Sequence, residues 1–142
     1  MQNLTRPTRA KDIERSWHLI DVKDAVLGRT ATKIVNLLIG KNKAYFAKNM
    51  DCGDYVVIIN AVQVKVTGNK EKQKTYTRYS GYPGGLKKTR LEEVRAKKPE
   101  EIVRHAVAGM LPKNKLRAQF LKRLYIYAGA EHPYSDKFKD QV

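Results

Sequence analysis

The sequence predicts an α/β layered domain whose mostly parallel sheet is covered by helices. Three observations lead there. Residues 55–59 (YVVII) are a continuous β-favouring run, the pattern of a central strand buried on both faces. An apolar run, a helical stripe and that central run follow one another, giving strand–helix–strand order. Two further helical stripes come after the strand segments, and together the three stripes can cover both faces of a small sheet.

The elements follow in order. Residues 1–15 are polar, contain Pro7, and read as a basic arm whose Arg6, Arg9 and Lys11 order on binding. Residues 17–22 (WHLIDV) fit a first strand. After Gly28, the residues Ala31, Ile34, Val35, Leu38 and Ile39 recur at helical spacing and form one buried face, with Gly40 as the stop. The central strand follows. Residues 62–66 (VQVKV) alternate, predicting a strand extension or edge, and Gly68-Asn69 turns the chain. Residues 75–82 (TYTRYSGY) read as an exposed, partly irregular strand. Thr89 and Glu92 have the spacing of a capping box opening a helix that runs through Arg95. Pro99 suits a first helical position, and Ile102, Val103, Ala106, Val107 and Met110 form the next stripe, ended by Pro112. Leu116, Phe120, Leu121 and Leu124 mark a last short helix running into an apolar segment and a turn at Gly129. The tail beyond His132 is polar and expected to be loosely held. The organisation is thus an arm (1–15), a single domain (16–133) and a tail (134–142).

Composition narrows the partner. The 142 residues carry 29 Lys and Arg against 14 Asp and Glu, a formal net charge of +15. Self-repulsion on that scale opposes compaction unless a polyanion offsets it, so nucleic acid is the first partner to consider. Cys52 is the single cysteine, which excludes an internal disulfide and an all-cysteine metal site and fits a reducing interior. No window approaches the ~18 consecutive apolar residues of a membrane span, and the N-terminus lacks a secretion signal's apolar core. The reading is cytosolic or organelle-interior, with no membrane partner.

The charge is clustered. Residues 65–98 hold eleven basic residues, among them Lys70, Lys72, Lys74, Arg78, Lys87, Lys88 and Arg90, opposed by three glutamates. Residues 113–123 hold Lys113, Lys115, Arg117, Lys122 and Arg123 and no acid, and residues 33–48 add Lys41, Lys43 and Lys48 among four. Tyrosines are interleaved, Tyr79 among them, and can stack on unpaired bases while the cations contact phosphates. One such cluster is commonly just a solvated face; three, with this net charge, favour a polyanion.

Catalytic signals are sparse. Gly84-Gly85-Leu86-Lys87-Lys88-Thr89 only superficially matches a phosphate loop, because Leu86 and the second lysine break the Gly-Lys-Ser/Thr adjacency. A tight turn, or a loop against an RNA backbone, fits the same residues. His18, His105 and His132 have no metal-ligand spacing and read as structural or surface histidines. Asp51 and Asp54 flank Cys52 and would raise its thiol pKa, and the two carboxylates before a strand read as loop solvation or turn chemistry more readily than as a cation site. No catalytic residue, metal or cofactor is expected.

A set of ordered segments then resembles a known family. They are Trp17 with Ile20-Asp21; Leu27-Gly28-Arg29; Gly40-Lys41; Gly53-Asp54-Tyr55-Val56-Val57 with Asn60-Ala61; Val66-Thr67-Gly68-Asn69-Lys70; Gly84-Gly85-Leu86-Lys87; Gly109-Met110-Leu111-Pro112-Lys113; and Tyr127-Ala128-Gly129 with Glu131-His132. Over residues 15 to 133 the chain resembles large-ribosomal-subunit protein thirteen (the L-thirteen family), in its bacterial or organellar form. The resemblance implies a three-layer α/β/α fold with a four-stranded parallel sheet and a non-enzymatic role. That role is binding large-subunit ribosomal RNA early in assembly and remaining as a structural component beside neighbouring large-subunit proteins, without obligate homo-oligomerisation. Carried over by position, RNA contacts are expected at Arg29, Lys41, Lys43, Lys70, Gly84, Gly85, Lys87 and Lys113. The chain departs from the family pattern at Leu116-Arg117-Ala118, Ala47-Lys48-Asn49, Tyr79-Ser80 and Tyr134-Ser135-Asp136, so contacts at Lys48, Tyr79 and Arg117 rest on charge and position alone. The rivals are a free RNA-binding translational regulator using the same surface and a small phosphate-handling enzyme built on residues 81–89.

Overall fold

The computed structural model describes residues 7–141. Its sheet has three parallel strands in the order β1 (Trp17–Asp21), β2 (Tyr55–Ile59), β5 (Leu124–Ile126). Trp17 pairs with Tyr55, and Val56 with Leu124, so the apolar run of β2 occupies the centre as expected. Helix α1 (Leu27–Ile39) makes the β1-to-β2 crossover and ends at Gly40. The long crossover to β5 carries α2 (Lys70–Gln73), β3 (Thr75–Tyr79), β4 (Leu86–Arg90), α3 (Leu91–Lys97), α4 (Pro99–Met110) and α5 (Arg117–Lys122).

The helical stripes all meet on one face of the sheet. Ile34 and Leu38 of α1, Ile102, Val103 and Val107 of α4, Phe120 of α5 and Leu91 of α3 join Val56, Ile58, Leu124 and Ile126 in one core. Side chains alternate along a strand, so Val57 faces the other way, yet it too is fully buried. Its side is covered by aromatic rings rather than helices. Trp17 stacks on Tyr55 (4.4 Å between centroids) and Tyr125 (5.9 Å), and Tyr134 and Phe138 from the chain's end close over them. Residues Ser135–Gln141 form a 3₁₀ turn against β1. The segment expected to be a loose polar tail is therefore part of the packing, because Tyr134 and Phe138 supply the cover that helices were expected to give.

Two further expectations are corrected. The fourth parallel strand does not form: Asn60 adopts a left-handed conformation (φ 61°), Ala61–Gln63 turns in 3₁₀ fashion, and one parallel bridge, Val26 with Lys65, remains. The turn diverts the amides of Ala61 and Val62 to the carbonyls of Tyr127 and Ala128, away from a new strand. Nor does Thr89 cap a helix. It lies in β4, which pairs antiparallel with β3 to make a separate hairpin, and α3 starts only at Leu91.

The arm is anchored from Thr8 onward. Thr8 Oγ1 donates to the Tyr45 carbonyl (2.7 Å), Ala10–Asp12 forms a 3₁₀ turn, and Arg15 Nη1 donates to the Gly53 carbonyl (2.5 Å). Arg9 and Lys11 lie in or beside this turn; Arg6 lies outside the described residues. Gly53 permits the close approach of the 40–54 loop to α1, since a Cβ there would sit 1.6 Å from the Leu38 carbonyl oxygen.

Candidate nucleic-acid interface

The basic residues divide by how the fold neutralises them. The largest exposed group stands on the hairpin and the short helix before it. In β3–β4, Arg78 pairs with Lys87, Thr77 with Lys88 and Thr75 with Arg90. Paired residues share a face, so Arg78 and Lys87 lie on one side and Lys88 and Arg90 on the other. Lys70, Lys72, Arg78, Lys87, Lys88 and Arg90 are exposed and Lys74 is half-buried. Among the described residues only Arg90 of these has a carboxylate partner, Glu92 at 3.7 Å.

The hairpin is braced from behind. Arg95 of α3 grips both oxygens of Glu71 in α2 (2.7 and 3.0 Å) and donates to the carbonyls of Val62 and Val64. The Leu91 amide donates to the Lys74 carbonyl (2.9 Å), tying the start of α3 to the end of α2. This bidentate pairing fixes the position of the platform that carries the free cations.

The glycine loop closes the hairpin. Gly84 has φ 72°, a left-handed turn position, and a Cβ on Gly85 would fall 1.9 Å from Ser80 Oγ. Both glycines are thus demanded by the turn itself, and the loop leads into a strand, unlike the strand–loop–helix order of a phosphate loop. At its tip Tyr79, Tyr82 and Leu86 are 64%, 75% and 53% exposed, flat apolar surfaces beside unpaired cations.

Behind the hairpin an open groove of ≈ 640 Å³ runs between β3–β4 and α3–α4. Its wall holds Tyr76 stacked on His105 (5.0 Å between centroids, 25°), with Lys74 Nζ 5.3 Å from the Tyr76 ring centre. Tyr76 Oη points inward and, among the described residues, has no hydrogen-bond partner; burial raises its pKa.

A second exposed group lies elsewhere. Lys113 and Lys115 follow α4, Lys122 ends α5, Arg117 is half-buried at its start, and Lys41 and Lys48 sit in the loop after α1. Arg29 is exposed in the first turn of α1, at the opposite end of that helix from Lys41.

Two expected contacts turn inward, which corrects their assignment to the surface. Arg123 is 7% exposed. Its guanidinium forks onto both oxygens of Asp51 and donates to the Leu38 carbonyl (3.2 Å). Lys43 Nζ lies 2.5 Å from Asp54 Oδ1, where the Ser16 amide also donates and His18 Nε2 lies 3.0 Å from the other oxygen. Burial pushes the Asp54 pKa up, but Lys43, the Ser16 amide and His18 outweigh it and the net shift is downward. Asp51 behaves alike: burial raises it, Arg123 and the Gly53 amide lower it further, and it too ends low. The two carboxylates are neither a cation site nor solvated turn residues; they tie the 40–54 loop to the arm and to the end of α5. Their one visible signal was their position, acids before a buried strand in a strongly basic chain.

The remaining candidates have structural partners. His105 lies 3.5 Å from Glu101, His132 Nδ1 accepts from the Tyr134 amide, and Cys52 is buried. Among the described residues no three potential metal ligands come together, and no helix is long and apolar enough to cross a membrane. No sequence pattern marks the groove: Tyr76, Lys97, Lys98 and His105 are brought together only by the folding of the hairpin onto α3 and α4.

The chain is similar to known proteins over most of its length. A family model described as ribosomal protein L13 matches residues 15–133. Large ribosomal subunit protein uL13 of Dehalococcoides mccartyi is 48% identical over 133 residues, covering 94% of this chain and 93% of its own. The protein of the same name from Streptomyces griseus is 52% identical over 124 residues (87% and 84% of the two chains), and that from Salinispora arenicola 54% over 123 (87% and 84%). With the match spanning the sheet, the hairpin and every helix, the chain belongs to the ribosomal protein L13 family.

Proposed function

We propose that this chain is a structural, non-enzymatic constituent of the large ribosomal subunit that binds large-subunit ribosomal RNA, supports early assembly of the subunit and stays beside neighbouring subunit proteins. The observation that carries this reading is the separation of its cations. Arg123 and Lys43 are neutralised by carboxylates within the fold, whereas Lys70, Lys72, Arg78, Lys87 and Lys88 are exposed on a braced hairpin platform without carboxylate partners among the described residues. Free cations on a rigid support release counterions when they meet phosphates and can match the shape of a folded RNA. Family membership gives that polyanion its identity.

Lys41, Lys48, Lys113, Lys115, Arg117, Lys122 and Arg29 provide further phosphate contacts in this reading, and Tyr79 stacks at the hairpin tip. Gly84 and Gly85 contribute by shaping the loop. The protein works in the ribosome, in the cytoplasm or an organelle interior, as a single copy. Sedimentation of cell extract after a high-salt wash tests this: the chain is expected quantitatively in large-subunit particles. Recovery in ribosome-free fractions, bound to other RNA, would instead make it a free regulator.

A further inference from the structure

We propose that the groove between the hairpin and α3–α4 receives one unpaired nucleotide of the bound RNA, its base stacked on His105 and its phosphates held at the rim. The inference rests on the RNA-binding reading and adds a site to it. The groove's volume, ≈ 640 Å³, lies within the range of small-ligand sites. One wall is an aromatic stack, Tyr76 on His105, and the His105 side chain is 56% exposed, so its imidazole presents surface to an incoming base. Around it stand four cations, Arg78 and Lys87 from the hairpin and Lys97 and Lys98 from the end of α3, against two carboxylates. One of these, Glu101, is already engaged by His105 at 3.5 Å.

An aromatic platform ringed by excess positive charge suits a nucleotide better than it suits an acidic peptide, which offers no plane to stack. Duplex RNA is excluded by shape: its bases are stacked on one another and cannot enter a groove behind a hairpin. Single-stranded bulges and loops, whose bases splay out, are what such sites take.

The test uses the full chain and a large-subunit RNA transcript, with affinity measured by filter binding and base accessibility by chemical modification. His105→Ala is expected to weaken binding about fivefold or more with no change in salt dependence, as loss of one stacked base does. It should also restore reactivity at one unpaired nucleotide while leaving the rest of the footprint in place. Lys97→Ala with Lys98→Ala should weaken binding and flatten its salt dependence. His105→Phe should retain the protection, and Tyr76→Phe, which keeps the ring, should bind as the unmodified chain does. Circular dichroism of each variant establishes that it folds. If the unmodified chain binds but His105→Ala keeps its affinity and footprint, the groove does not hold a base, as would also follow if it holds a protein segment. If the unmodified chain itself fails to bind the transcript, the RNA-binding reading falls and this site with it.

Discussion

Arg123, at the end of α5, is held by Asp51, 72 positions earlier in the chain, by a forked pair of hydrogen bonds inside the fold. A positive charge that looks on paper like one more RNA contact is instead a clasp. Through it the 40–54 loop is fixed to the entrance of β5, and the Leu38 carbonyl at the end of α1 finds a donor.

Removing Arg123 leaves Asp51, as a cationic partner among the described residues, only the longer contact to Arg15 (3.5 Å) and takes the donor from the Leu38 carbonyl. Arg123→Ala is therefore expected to lower stability by about 3–5 kcal/mol in urea unfolding. A loss within the ordinary surface range of ~0.5 kcal/mol would show that the clasp contributes little.

Acid should loosen the same region. Asp51 and Asp54 both titrate below their ordinary values in the folded chain. A group whose pKa is lowered by folding stabilises above its unfolded value, about 3.9 for aspartate, and that stability drains away as pH falls through the folded value. Urea unfolding between pH 7 and pH 3 should show stability steady at first and falling from about pH 4 downward. Asp54→Asn should be less stable at neutral pH and show a shallower fall. A fall of equal steepness in both proteins would remove Asp54 from the linkage.

The C-terminal cover makes a separate prediction. Trp17 is the chain's single tryptophan, and Tyr134 packs on it at 5.1 Å between centroids. Replacing Tyr134 and Phe138 by alanine should shift Trp17 emission to longer wavelength as water reaches the ring, with a loss of about 1 kcal/mol or more of stability. Unaltered emission would mean that these rings do not shield it.

What could be read in the sequence was whatever buries a periodic face. The stripe Ala31, Ile34, Val35, Leu38 and the run of residues 55–59 meet the core directly, and both elements stand where periodicity put them. Strand β4 carried no such mark. Its LKKTR has no buried residue because this strand stands off the core, which the hairpin meets through Tyr76 of β3, so neither alternation nor hydrophobicity announced it. The cover by Tyr134 and Phe138 was hidden for a related reason: isolated rings among polar residues have no period. Charge clusters pointed to the hairpin, but composition says nothing of pairing, and only the fold separates Lys43 and Arg123, paired with Asp54 and Asp51, from Lys87 and Lys88, which have no carboxylate partner among the described residues.

That separation makes the salt dependence of RNA binding the most direct measurement of the account. Lys87→Ala with Lys88→Ala, which removes one free cation from each face of the hairpin, should weaken binding to a large-subunit transcript and flatten log K against log salt by about 1.5–2 units, with unfolding unchanged. A double variant with the slope of the unmodified chain would contradict the assignment of the hairpin to the RNA surface.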